Sequence, residues 1–257
     1  MKTFAIVNRK GGVGKTTTAI ELAFVLATIY GQKVLLLDAD SQGNATRTLL
    51  GEREPGAGLA QVLQGQTDFW PDVVENTDID TLDIVPSTEQ LGDYELEVML
   101  GRKSASFGAI RAFLDALAGE EIYDAVVIDC PPYYSVSCLC ALNACDSVII
   151  PAGLDAYSTV GMEGLTRQIS NIRQVRPNMH VAGVLVTQWH KCDIAEDAVL
   201  TLRESSPVRV FDTVIRRTDK AVEASWAGRA VGGWSPYCSA ARDYRAWVAE
   251  LLAREGL

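Results

Sequence analysis

No apolar run in the sequence approaches the ~20 residues that a membrane-spanning helix needs. Nor is there a low-complexity tract, a detectable internal repeat or a Pro/Gly-rich linker. These absences argue against a helical membrane protein, a solenoid and a disordered chain. Met1 leads within a few residues into a strand-like segment, which leaves no room for a secretory leader, so the expectation is a cytoplasmic protein. Positive charge is also short. Lys and Arg number 23 against 33 Asp and Glu, a net −10. A chain this acidic is not a constitutive nucleic-acid coat, and any DNA contact must come from a local basic patch, presented in a particular state. The six cysteines, at 130, 138, 140, 145, 192 and 238, include one C-x-C pair, Cys138-Leu-Cys140, with no matching second pair. That spacing argues against a zinc site and leaves reduced, mostly buried thiols as the expectation.

What remains is a chain of 257 residues with 48% hydrophobic side chains, enough for a real core and suited to one α/β domain over residues 1–257. Continuous apolar runs at Thr3–Val7, Lys33–Asp38, Leu82–Pro86, Ala125–Asp129, Ser147–Pro151, Val181–Thr187 and Arg209–Val214 read as strands buried on both faces. A helical period runs over Lys15–Tyr30 and stops at Gly31; further helices are expected near 88–100, 105–118, 157–176, 193–205 and 239–254. This alternation predicts a doubly wound, mostly parallel sheet with helices on both faces. The last helix is apolar at 240, 244, 247, 248, 251 and 252, but its polar face mixes Asp243, Glu250 and Glu255 with Arg242, Arg245 and Arg254. A helix lying on a membrane is usually biased to Lys and Arg, so packing against the sheet is the expectation.

Between the first strand and the first helix stands Lys10-Gly11-Gly12-Val13-Gly14-Lys15-Thr16-Thr17. Strand, glycine-rich loop and helix in that order form a phosphate cradle: glycines let consecutive N–H groups converge on phosphate oxygens. Lys15 would neutralise β- and γ-phosphate charge and the Thr16 hydroxyl would ligate Mg²⁺, so ATP with Mg²⁺ is the expected cofactor pair. The general P-loop pattern wants a glycine where this chain has Arg9, and here an extra lysine, Lys10, opens the loop. Two strands end in carboxylates: Asp38-Ala-Asp40-Ser-Gln-Gly-Asn, and Asp129-Cys-Pro-Pro. In a parallel sheet, ligands sit at the carboxyl ends of the strands, so these acids arrive at the edge holding the loop, where a strand-end Asp can hold Mg²⁺ directly or through water.

The loop resembles the deviant Walker A motif of the ParA/MinD group of P-loop ATPases. The Asp38-x-Asp40 segment resembles the group's second ATPase motif, with Ser41 in place of its usual proline, and Asp129-Cys-Pro-Pro is typical of the ParA branch. The resemblance covers nearly the whole chain and implies a P-loop NTPase fold. It implies that Lys10 acts in trans across an ATP-dependent homodimer and Lys15 in cis, that Asp40 orients the attacking water, and that Asp38 and Asp129 serve the metal with Thr16. Residues 214–225 resemble a further ParA segment, with Arg216 where a proline is expected and Thr218 where an asparagine is. That likeness implies proximity of Arg217 to the adenine and a non-specific DNA surface built from Arg216, Arg217, Lys220 and, from the loop after the 181–187 strand, Lys191. The early loop leaves no room for an N-terminal helix-turn-helix, which implies the short ParA/Soj type: a slow ATPase positioning plasmid, chromosomal or mobile-element DNA, nucleoid-associated when ATP-bound, stimulated by a ParB-like centromere-binding partner, with no stable membrane association. The alternatives are a MinD-like membrane-surface ATPase, a nucleotide-binding scaffold or repressor without turnover, and a metallochaperone or reductase of the same superfamily, which the missing C-x-x-C pairs disfavour.

Overall fold

Seven strands form one sheet in a computed structural model that describes residues 1–67, 69–153, 158–175 and 179–257. They are β1 (Lys2–Ile6), β2 (Val34–Asp38), β3 (Glu75–Asn76), β4 (Leu82–Val85), β5 (Ala125–Asp129), β6 (Ser147–Gly153) and β7 (His180–Thr187). The order is β3-β4-β2-β5-β1-β6-β7, with β3 antiparallel to β4 and every other pairing parallel. The helices are α1 (Lys15–Thr28), α2 (Asn44–Leu50), α3 (Leu59–Gln64), α4 (Glu89–Met99), α5 (Ala109–Gly119), α6 (Val136–Ala144), α7 (Ser158–Val175), α8 (Asp193–Ser205), α9 (Asp219–Trp226), α10 (Val231–Trp234) and α11 (Ser239–Glu255). This is the doubly wound, mostly parallel α/β fold expected of a P-loop NTPase.

The two faces follow the strand period of two. Ala5, Leu35, Leu37, Val126 and Ile128 point into a layer with α3 to α8, while Phe4, Ile6, Leu36, Ala125 and Val127 meet α1, α2 and α9 to α11. Because both faces are covered, the central strands read as unbroken apolar runs.

One expected strand changes. Arg209–Val214 is not a regular strand. It meets β7 through Val184 N–H to Arg209 O (2.9 Å), Phe211 N–H to Val184 O (2.9 Å) and, further on, Ile215 N–H to Val186 O (2.8 Å). The N–H groups of Asp212 and Thr213 instead donate to the Glu250 carboxylate on α11, at 2.8 and 2.9 Å, which interrupts the ladder. The helix expected over 157–176 is Ser158–Val175, and positions 157 and 176 lie outside the described residues.

Among the described residues no helix is long and apolar enough to cross a membrane. Helix α11 spends its apolar face inside the protein: Tyr244, Trp247, Val248, Leu251 and Leu252 are buried. Trp247 is fully enclosed and meets Phe211 and Tyr244 edge-on, with centroids 5.8 and 6.1 Å away. Trp247→Ala should therefore cost about 3–5 kcal/mol in urea unfolding. Trp247→Phe should cost much less, because the indole N–H it removes has no partner. Equal, small losses for both would mean that α11 is not part of the core.

Candidate functional site

Strand β1 delivers the chain to the site, and Asn8 turns it outward. The buried Asn8 amide donates to Pro151 O (2.6 Å), and its Oδ1 accepts from Lys10 N–H (2.9 Å). Gly12 (φ 71°) and Gly14 (φ 78°) then take left-handed backbone conformations that suit glycine. The carbonyls of the loop are tied back to the protein: Gln188 Nε2 donates to Gly12 O (2.6 Å), Thr187 Oγ1 to Val13 O (2.8 Å), and Lys15 Nζ to Lys10 O (3.2 Å). Among the described residues, the first N–H groups of α1 have no side-chain cap. An uncapped N-terminus behind glycines is an anion site, where unpaired N–H groups and the positive end of the helix dipole coincide. Arg9, replacing the usual glycine, lays its guanidinium 5.5 Å from the centre of the Tyr134 ring.

Lys15 is buried, which pushes its pKa down, while Asp129 and Asp40 beside it push it back up. Asp38 and Asp129 are register neighbours on β2 and β5, and both are fully buried. Asp38 is well supplied: its Oδ2 accepts from Thr46 N–H (2.8 Å) and Thr46 Oγ1 (2.7 Å), and its Oδ1 from Asp40 N–H (3.2 Å). Thr46 Oγ1 in turn accepts from Ser87 N–H at 2.9 Å. Asp129 differs, because neither oxygen makes a well-formed hydrogen bond. The nearby Thr16 hydroxyl favours its charged form, but burial and then the neighbouring Asp38 outweigh that and hold its pKa well above the carboxylate range. Burial likewise pushes Asp38 up to about 6, against the hydrogen bonds from Thr46.

An orphaned, buried carboxylate beside a threonine hydroxyl and a second carboxylate fits a small hard cation. Among the described residues, no cluster of three Asp, Glu, His or Cys could hold an ion unaided. The cation would therefore share Thr16, Asp38 and Asp129 with water and phosphate, the usual arrangement for Mg²⁺. Asp40 is also buried, and its Oδ1 accepts from Gln42 N–H (3.0 Å).

Lys10, Gly11–Gly14, Lys15, Thr16, Thr17, Asp38, Asp40 and Asp129 thus share one end of the sheet. The expected DNA residues divide. Arg216 is held by Asp243 through its N–H (2.9 Å), Nε (2.9 Å) and Nη2 (2.7 Å), and Lys220 Nζ by Glu223 at 2.8 Å. Lys191 and Arg217 are exposed, and neither side chain has an ion-pair partner among the described residues. Their segments adjoin: Trp189 N–H donates to Ile215 O (2.9 Å) and Arg217 N–H to Trp189 O (2.8 Å). Since Gln188 grips Gly12, this strip is connected to the loop. Asn8, Thr46, Ser87, Thr187 and Gln188 are supporting residues that sequence reasoning missed. Only Asn8, a polar residue at a strand end, carried a local signal.

Residues 1–181 match a family model described as an AAA domain. The chromosome partitioning protein ParA of Caulobacter vibrioides is 33% identical over 258 residues, which cover 99% of this chain and 95% of that protein. The chromosome-partitioning ATPase Soj of Thermus thermophilus is 34% identical over 258 residues, covering 99% and 96%. Among solved structures, cobyrinic acid a,c-diamide synthase from Mycobacterium smegmatis with bound ATP analogue and magnesium aligns with a TM-score of 0.81 at 27% identity, over 100% of this chain and 96% of that one.

The raised carboxyls have a consequence for stability. The folded protein keeps protons that the unfolded chain releases, so their contribution is full below about pH 4 and fades as pH rises through the folded values. Asp129→Asn cannot ionise. In metal- and nucleotide-free protein its urea midpoint should therefore gain on wild type as pH rises above the ordinary carboxylate value of about 4. A difference that stays constant, or shrinks, would refute the buried-charge account.

Proposed function

Since the chain belongs to the AAA-domain family and, within it, to the ParA/Soj group of partitioning ATPases, we propose that it hydrolyses ATP in a cycle that positions DNA. The observation that carries this reading is the orphaned Asp129 carboxylate beside Asp38 and Thr16, in front of the uncapped helix behind the glycine loop. Gly11, Gly12, Val13, Gly14 and Thr17 cradle the phosphates, and Lys15 neutralises the β- and γ-oxygens. Thr16, Asp38 and Asp129 would hold Mg²⁺, which supplies charge neutralisation between the phosphates. Asp40 orients the attacking water. Lys10, exposed at the loop, reaches a second copy's phosphates, so that ATP binding and dimerisation are one event.

The dimer then binds DNA without sequence preference, through phosphate contacts from Lys191 and Arg217; Arg216 and Lys220 contribute once freed from Asp243 and Glu223. Arg217 also flanks the bound nucleotide. A ParB-like partner accelerates an otherwise slow hydrolysis and releases the dimer. Residues 1–257 act as one ATPase domain. The buried apolar face of α11 leaves little to insert into a lipid surface, which favours this reading over a membrane-positioning one.

Asp40→Ala should bind ATP yet release phosphate at least ~100-fold more slowly, as removal of a water-positioning group does. Lys10→Ala should remain monomeric with ATP in light scattering. Normal turnover in the first, or normal dimerisation in the second, removes that residue's role. DNA binding should require ATP and weaken steeply with salt, and Lys191→Ala and Arg217→Ala should each reduce the slope of log K against log salt by about 1. Binding that ignores nucleotide would overturn the partition cycle.

A further inference from the structure

Ala39 stands between the two aspartates of the loop, and other elements hold both of its backbone polar groups. Its N–H donates to Asp129 O on β5 (2.9 Å), and its carbonyl accepts from Ser137 Oγ on α6 (2.7 Å). That carbonyl shares a rigid peptide plane with the Asp40 N–H, which donates to Asp38 Oδ1 (3.2 Å). The peptide leading into Asp40 is therefore fixed at both ends, and Ser137 holds one of them.

Ser137 is fully buried in the first turn of α6. Its Oγ lies 2.7 Å from three oxygens: Ala39 O, Glu95 Oε1 and Ser135 Oγ. One hydroxyl proton cannot serve all three. Ser135 Oγ accepts from Cys138 N–H (3.1 Å) as the cap of α6, and its own proton is available to Ser137. The Ser137 proton is then contested between Ala39 O and Glu95 Oε1. Glu95, on α4, also accepts from Ser137 N–H (3.1 Å), which keeps the carboxylate in place whichever way the hydroxyl turns.

We propose that Ser137 is a positioning residue for Asp40 and that Glu95 sets how firmly it holds. With its proton on Ala39 O, Ser137 fixes the peptide that aims Asp40; with its proton on Glu95, that peptide is freed. A shift of α4 then changes hydrolysis without contact with nucleotide. The inference rests on the assignment of Asp40 to water orientation made above.

The test uses the full chain and four proteins: wild type, Ser137→Ala, Ser137→Thr and Glu95→Gln. Phosphate release gives kcat, a fluorescent ATP analogue gives nucleotide affinity, and amide hydrogen exchange reports on residues 39–43. Ser137→Ala should lower kcat ~10- to 100-fold, in the range expected when a reacting group is slightly misplaced, with affinity within about twofold of wild type. Exchange in 39–43 should rise. Ser137→Thr keeps the hydroxyl and should restore kcat to within about threefold of wild type. In Glu95→Gln the neutral amide oxygen that stays on the Ser137 N–H is a weaker acceptor than the carboxylate, so the serine proton goes to Ala39 O more often and kcat should match or exceed wild type. Wild-type kcat in Ser137→Ala, or equal losses in the alanine and threonine variants, would overturn the role of Ser137. A loss in Glu95→Gln as large as in Ser137→Ala would overturn that of Glu95. A wild-type protein that releases no phosphate would sink the ATPase reading instead; the exchange of 39–43 would still decide the clamp, and no rise in Ser137→Ala would refute it.

Discussion

Two carboxylates, Asp38 and Asp129, are forced side by side and fully buried, because β2 and β5 are adjacent parallel strands that end at the same level. Burial strips both of solvation, and for Asp129 the neighbouring Asp38 adds repulsion, so both are driven toward their protonated forms. The surroundings answer this in an uneven way. Asp38 receives three hydrogen bonds, while Asp129 has no well-formed one among the described residues and only the Thr16 hydroxyl and Lys15 nearby to favour its charge. A site that is electrostatically incomplete without a cation, beside a helix N-terminus incomplete without an anion, is matched to a ligand that brings both. The sheet order produces this match, since β1, which carries the glycine loop, lies next to β5.

Support for the site comes from every direction except the ligand's. The loop hangs from Asn8, Thr187 and Gln188; Asp38 hangs from Thr46, itself tied to Ser87; and Ala39 hangs from Ser137. All but the exposed Gln188 bond are buried or half-buried, and a partner lost from any of those would leave an unpaired polar group behind. The same framework reaches the surface. Gln188 holds the loop, and the next residues pair with the segment carrying Arg217. The loop and an exposed cationic strip are thus linked by one side-chain and a few backbone hydrogen bonds.

Much of the fold was legible in the sequence, because two-sided burial writes itself as unbroken apolar runs. Six of those runs coincide with strands of the sheet. The seventh, Arg209–Val214, failed because Glu250, far along the chain on α11, captures two of its N–H groups. Short helices such as α2, α3 and α10 went unread; each is stabilised by packing rather than by a periodic pattern long enough to detect. The loop and its strand-end carboxylates were visible because the phosphate and metal roles proposed for them demand particular residues at fixed local spacings.

The sequence alone determined the alternation of strands and helices and the set of groups able to meet a magnesium nucleotide. Both are local properties, carried by neighbours within one element. Only the tertiary structure decided which aspartate is satisfied and which is bare, and which cations are already spent. Asp243 holds Arg216 and Glu223 holds Lys220, whereas Arg217 and Lys191 stay exposed. It also decided that Asn8, Thr46 and Ser137 are the supports. Their partners lie up to 143 residues away along the chain, and no spacing rule along a sequence encodes a hydrogen bond that exists only once the sheet has closed.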